Sequence, residues 1–139
     1  MKHERSPESG GLISFVYDRA KRRRTAVFSG VVGDAELLAA YSGLLAQSDY
    51  DYAADDLVDL RAVTHLGVTP AGLGELMTMF APIDGMNVRT RLALVAPADD
   101  VFGVSRMYQM LRGDATPEEI AVFREMPKAI AWLDTGPVL

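Results

Sequence analysis

The sequence predicts an α/β fold: a mixed five-stranded sheet flanked by four helices, in the order ββαβαβαβα. Three observations predict it. Residues 12–17 and 25–32 are rich in β-branched and aromatic side chains, which suit a pleated surface. Downstream, short apolar runs alternate with segments whose apolar residues recur at helical spacing, the pattern of crossover units. Residues 92–96, Leu-Ala-Leu-Val-Ala, are apolar without alternation, as expected of a strand covered on both faces. The 139 residues suffice for one core, so residues 12–139 read as a single domain. Residues 1–11 are polar and carry Pro7, Gly10 and Gly11; they read as a flexible tail with no apolar stretch of signal-peptide type.

Each element has a local reason. The polar stretch 18–24 connects the first two runs as an antiparallel hairpin, its Lys21-Arg22-Arg23-Arg24 run reading as a solvated basic loop. Asp34 is expected to cap the first helix, with Glu36 in its positive first turn. Leu37, Leu38, Tyr41, Leu44 and Leu45 give that helix one apolar face. Residues 49–56 read as a solvated acidic loop, followed by a short strand at Leu57, Val58 and Leu60. Thr69 caps the second helix and Pro70 fills its first turn, where a missing N–H costs nothing. Leu73, Leu76, Met77 and Phe80 form its stripe, and Pro82 is expected to stop it. Asp99 and Asp100 are expected to cap a third helix bearing Val101, Val104, Tyr108 and Leu111, which Gly113 ends. Residues 120–123 read as an edge strand, and a last helix starts near Pro127 with Ile130, Trp132 and Leu133.

Composition excludes several classes of function. A net charge of −5 argues against nucleic acid, where affinity comes from neutralising phosphates. The chain has no cysteine, which removes disulfides, thiol nucleophiles and thiolate metal sites and fits a cytoplasmic location. No apolar run approaches the ~20 residues that span a bilayer, so no transmembrane segment is expected. The acidic residues Asp49, Asp51, Asp55, Asp56 and Asp59 lack the central glycine and terminal glutamate of a calcium loop. His65 stands alone beyond His3, with no second ligand for a metal. Ser105 lies mid-helix instead of on a nucleophile turn, and Gly72-Leu73-Gly74 lacks dinucleotide-loop spacing. No catalytic constellation, cofactor loop or metal set is visible, so the expected function is non-enzymatic.

Val58-Asp59-Leu60-Arg61 with Val63, Leu94-Val95-Ala96-Pro97, Gly103 with Arg106-Met107, Val122-Phe123-Arg124 and Ala129-Ile130-Ala131-Trp132-Leu133 carry a resemblance in their order and spacing. Over residues 12–134 the chain resembles the SpoIIAA-like family, related to STAS domains and to the CRAL-TRIO lipid-binding fold. STAS domains of the anti-sigma-factor antagonist type carry a phosphorylatable Ser or Thr where a strand meets a helix. The matching stretch here reads Gly67-Val68-Thr69-Pro70 in place of the Asp-Ser pair, so Thr69 is the one hydroxyl at that place.

Two readings of function follow. The resemblance implies a regulatory protein-interaction module with a partner surface at Gly67, Val68, Thr69 and Gly72, and with Thr69 as phosphoacceptor or plain helix cap. The alternative is a carrier or sensor of a small apolar ligand or lipid, implied by the CRAL-TRIO likeness and by a methionine-rich group. Met77, Phe80, Met107 and Tyr108 would line its pocket, since methionines make adaptable apolar walls. Gly103 within a helix suggests close packing there, and Arg106 an ion pair to Asp59. The exposed edge strand offers a surface for a homodimer.

Overall fold

The computed structural model describes residues 12–113 and 116–135. The expectation for residues 1–11 lies outside them. Strand β1 (Leu12–Asp18) pairs antiparallel with β2 (Arg23–Gly33), Leu12 opposite Ser29 and Asp18 opposite Arg23. The turn between them places Arg22 in the left-handed region, at φ 52°, while the Lys21 N–H donates to the Asp18 carboxylate. Helix α1 (Asp34–Leu45) then leads to β3 (Asp55–Gly67), α2 (Pro70–Asp84), β4 (Thr90–Val95), α3 (Asp99–Arg112), β5 (Glu118–Phe123) and α4 (Met126–Asp134). The five strands lie in sequence order across the sheet, with β2 to β5 mutually parallel. The expected architecture and element order are therefore present.

The sheet is covered unequally. Helices α1, α2 and α3 pack on one face, where Leu37, Leu73, Leu76, Val101 and Tyr108 meet Ala26, Phe28, Val58, Leu60, Leu92 and Leu94. Helix α4 packs on the other, Ala129 and Leu133 against Leu57, Ala93 and Val95. Strand β4 alternates between these clusters and is buried on both sides, as its unbroken apolar run requires. Arg91 fixes α4: its guanidinium donates to the Trp132 carbonyl at 2.6 Å and lies 4.6 Å from the indole centroid. Under β1 and β2 the α4 face is open, and Val16 and Val31 are exposed there.

Several local expectations are corrected. Strand β2 begins at Arg23, so the basic run is not a solvated loop: Arg23 and Arg24 are buried, and Arg22 pairs with Asp51 at 2.8 Å. Strand β3 runs thirteen residues, not four, because its pairing with β2 continues through bulges to Gly67. Helix α1 is capped by Gly33, whose N–H donates to Glu36 at 2.8 Å. Asp34 points instead to α2, accepting from both the N–H and the hydroxyl of Thr69. Ala98 precedes α3 without a side-chain cap, leaving Asp99 and Asp100 to complement the dipole in its first turn. Pro82 does not stop α2, which continues to Asp84; so close to the helix end, a missing backbone donor forfeits one bond. Arg106 is exposed, and Asp59 pairs instead with Arg61 at 2.9 Å.

Glycines separate packing from propensity. A methyl group at Gly103 would meet nothing within 4 Å, so the close approach expected there is absent. At Gly72 a methyl group would overlap the Asp34 carboxylate. Gly103→Ala is expected to stabilise the protein by roughly 0.5–1 kcal/mol, because alanine restricts the unfolded chain and favours helix. Gly72→Ala is expected to destabilise it, and to become neutral or stabilising in an Asp34→Ala background. Denaturant melts of the three variants and the double variant check this; a destabilised Gly103→Ala or no Asp34 dependence would contradict it.

Candidate functional site

The inward register of three strands carries charge to their starting edge. Ala26 and Phe28 are preceded on their face by Arg24, Val58 and Leu60 by Asp56, and Ile120 and Val122 by Glu118. The last turns of α2 and α3 deliver Asp84 and Arg112 to the same edge, and the segment before β3 delivers Tyr50. These six side chains line one end of a cavity of about 110 Å³ between the sheet and α1, α2 and α3. Its remaining walls are almost entirely apolar: Leu37, Tyr41 and Leu44 from α1, Leu73, Leu76 and Phe80 from α2, Tyr108 from α3, and Val58, Leu60, Leu92 and Leu94 from the sheet. The cavity reaches Leu66 and Val68 toward the opposite edge. Tyr41 and Phe80 of the wall stack edge to face, centroids 5.8 Å apart, and Phe15 backs Tyr41 edge to face at 5.2 Å.

The charged end is a bonded network. Arg24, 5% exposed, meets Asp56 through two parallel bonds of 2.7 and 3.1 Å, donates to the Asp51 carbonyl, and lies 4.5 Å from the Tyr50 ring centroid. Arg112, 7% exposed, meets Asp84 through bonds of 2.8 and 3.0 Å and reaches Thr116 and Glu118 at 3.1 and 3.2 Å. Such bidentate geometry offsets the cost of desolvating a guanidinium. The Arg112 Nε–H is buried with no partner among the described residues. Burial pushes the Glu118 carboxyl up to about 7, with the Asp56 charge adding and Arg112 opposing. Burial also raises Asp56, against the pull of Arg24. The Tyr41 and Tyr108 phenols are raised, chiefly by burial, and Tyr50 is raised to about 12. All three are therefore neutral hydroxyls near pH 7.

The sequence-derived site residues are scattered by comparison. Thr69 is a helix cap: its hydroxyl accepts from the Gly72 N–H at 3.1 Å and donates to Asp34. Gly67 and Thr69 are exposed, Val68 is half-buried and lines the cavity, and Gly72 is buried. Phe80 and Tyr108 line the cavity, whereas Met77 and Met107 only pack against the core around it. Arg24, Tyr50, Asp56, Asp84, Arg112 and Glu118 were missed. The available signal was phase: each strand residue stands two positions before an inward apolar one, and Arg112 follows Tyr108 by one helical turn. The acidic run does not form the solvated loop expected of it, since Asp51 and Asp56 are the acceptors of Arg22 and Arg24. Among the described residues no group of three or more potential ligands is arranged to hold a metal ion. No described helix is long and apolar enough to cross a membrane.

Among solved structures, one match is an uncharacterised protein of the DUF3478 family from Shewanella loihica PV-4, described as having a SpoIIAA-like fold. It covers 89% of this chain and 94% of its own, with a TM-score of 0.55 and 14% identity. The fold is SpoIIAA-like. That likeness concerns the fold alone. No protein-family model and no curated protein matches the sequence.

The ionic end sets two expectations. Arg24→Ala strands the Asp56 carboxyl in a buried place and is expected to cost about 3–5 kcal/mol, whereas breaking the exposed Lys128–Glu125 pair costs under about 0.5 kcal/mol. Glu118 titrates near 7 in the folded chain and near 4.5 when free, so the folded state holds the extra proton between those values. Its contribution therefore falls as pH rises from about 4.5 to about 7. Glu118→Gln is expected to flatten stability against pH in that window; an unchanged slope contradicts the assignment.

Proposed function

We propose that the protein is a non-catalytic binding module whose front-layer cavity takes up a small apolar molecule. The observation that carries this reading is an apolar cavity with a fixed charged end beneath three helices. Ligand sites have this composition, apolar walls with a few placed polar groups. Its size selects the occupant. A volume of about 110 Å³ is below the ~150 Å³ of an engineered cavity that holds benzene, and far below the ~300 Å³ at which drug-sized pockets begin. A small cyclic or branched body fits, and a long acyl chain does not.

The partner surface at Gly67, Val68, Thr69 and Gly72 is a second reading, supported by the exposure of Thr69 directly above Val68 in the cavity wall. In that reading the occupant is sensed at the corner where α2 begins.

Cyclopentane is a suitable probe. Saturable chemical-shift changes are expected at methyl groups of Leu37, Leu73, Leu76 and Leu92, together with a rise in Tm. Leu76→Phe is expected to fill the cavity, abolish these changes and leave the protein folded. Shifts confined to the surface, or unchanged binding in Leu76→Phe, would overturn the reading.

A further inference from the structure

We propose that uptake of the apolar occupant is coupled to a proton on Glu118, so that the cavity fills in mildly acidic solution and empties as the pH rises. The proposal rests on the binding-module reading and adds its regulation.

Glu118 stands between two spaces. With Pro117 it lines the apolar cavity, and the same two residues line a polar surface groove beside Arg89, Gln109, Thr116 and Glu119. Among the described residues it is the one charged side chain common to both, and its side chain is 17% exposed. The carboxyl group therefore exchanges its proton with the groove while it borders the interior.

Charge count makes it the odd group. The charged end of the cavity holds three carboxyl groups, Asp56, Asp84 and Glu118, against two guanidiniums, Arg24 and Arg112. Arg24 turns its fork to Asp56 and Arg112 its fork to Asp84, each through two bonds. Glu118 takes one bond from Arg112, at 3.2 Å, from a nitrogen that also donates to Asp84 and Thr116. Its charge is the least compensated of the three, and water supplies what the arginines do not. Burial already pushes this carboxyl up to about 7.

An apolar occupant displaces water from the cavity side and offers no hydrogen bond in return. That penalises the ionised carboxylate and spares the neutral acid. Occupancy therefore raises the Glu118 titration further. By reciprocity the protonated protein holds the occupant more tightly, and ionisation of Glu118 weakens it.

On the cavity side Glu118 faces Arg112 and Tyr108 from α3, Asp84 from α2, Asp56 from β3, Arg24 from β2 and Tyr41 from α1. Tyr50 lies farther along the same wall, Arg89 and Glu119 lie in the groove, and Thr90 of β4, opposite Glu118 in register, does not titrate. Guanidiniums stay charged and phenols neutral between pH 5 and 8, so the response in that range belongs to carboxyl groups.

Cyclopentane titrated into the full chain, followed by methyl chemical shifts, tests the coupling. Its affinity is expected to be about tenfold higher near pH 5.5 than near pH 8.5, the change that follows if occupancy raises the Glu118 titration by about one pH unit. In Glu118→Gln the affinity is expected to be equal at both pH values, whereas Glu119→Gln keeps the wild-type profile. The carboxyl carbon signal of Glu118 in the unsubstituted chain gives a direct reading: its titration midpoint is expected to move up when cyclopentane saturates the cavity. A midpoint that stays in place, equal affinity at both pH values, or an unchanged profile in Glu118→Gln overturns the coupling and leaves the binding module standing. Failure of cyclopentane to bind at either pH overturns both.

Discussion

Two arginines placed at the edge of an apolar core constrain the rest of the front layer. Arg24 and Arg112 are almost fully buried, and a guanidinium there must be met by carboxylates in good geometry or the fold loses several kcal/mol. Each is met bidentately, Arg24 by its cross-strand neighbour Asp56 and Arg112 by Asp84 at the end of α2. The second pair ties the ends of two helices together through one side chain. It also reaches Thr116 and Glu118, drawing the start of β5 into the network. The helices are thereby held at a fixed distance from the strand edge, and the space left between them is the cavity.

The opposite edge is built by different chemistry. There Asp34 turns away from its own helix and accepts from the backbone and hydroxyl of Thr69, so a carboxylate at the start of α1 holds the start of α2. Gly72 is required because that carboxylate occupies the space of a side chain. One edge is thus joined by a cap and the other by ion pairs, with the apolar walls between them. The rule that ligands lie beyond the carboxyl ends of parallel strands points to the Thr69 corner. The concentrated charge of this chain lies at the other end of the strands.

The architecture was legible because it depends on periodicity. The β-branched and aromatic enrichment of residues 12–17 and 25–32, the helical stripes, and the unbroken apolar run of β4 each map onto elements, and the order ββαβαβαβα follows. Boundaries were less legible where tertiary pairing overrides composition. Arg23 and Arg24 read as a loop by charge, yet they extend β2 because Asp134 and Asp56 await them across the fold. The strand read at Leu57, Val58 and Leu60 continues through His65, because pairing with β2 keeps those residues extended. The site was the least legible part. Its residues lie at positions 24, 50, 56, 84, 112 and 118, and no local motif joins them. Only the strand phase, which sets Arg24, Asp56 and Glu118 on the inward face, carried a local trace of it.

The central claim is that an accessible apolar cavity, closed at one end by ion pairs, lies under the three helices. Diffraction from crystals held under xenon pressure tests it directly, because xenon enters apolar cavities without needing a polar anchor. The account predicts xenon density among Tyr41, Leu76, Phe80 and Tyr108, with the Arg112–Asp84 and Arg24–Asp56 pairs unmoved. Side chains packed through that space with no xenon bound there would contradict it.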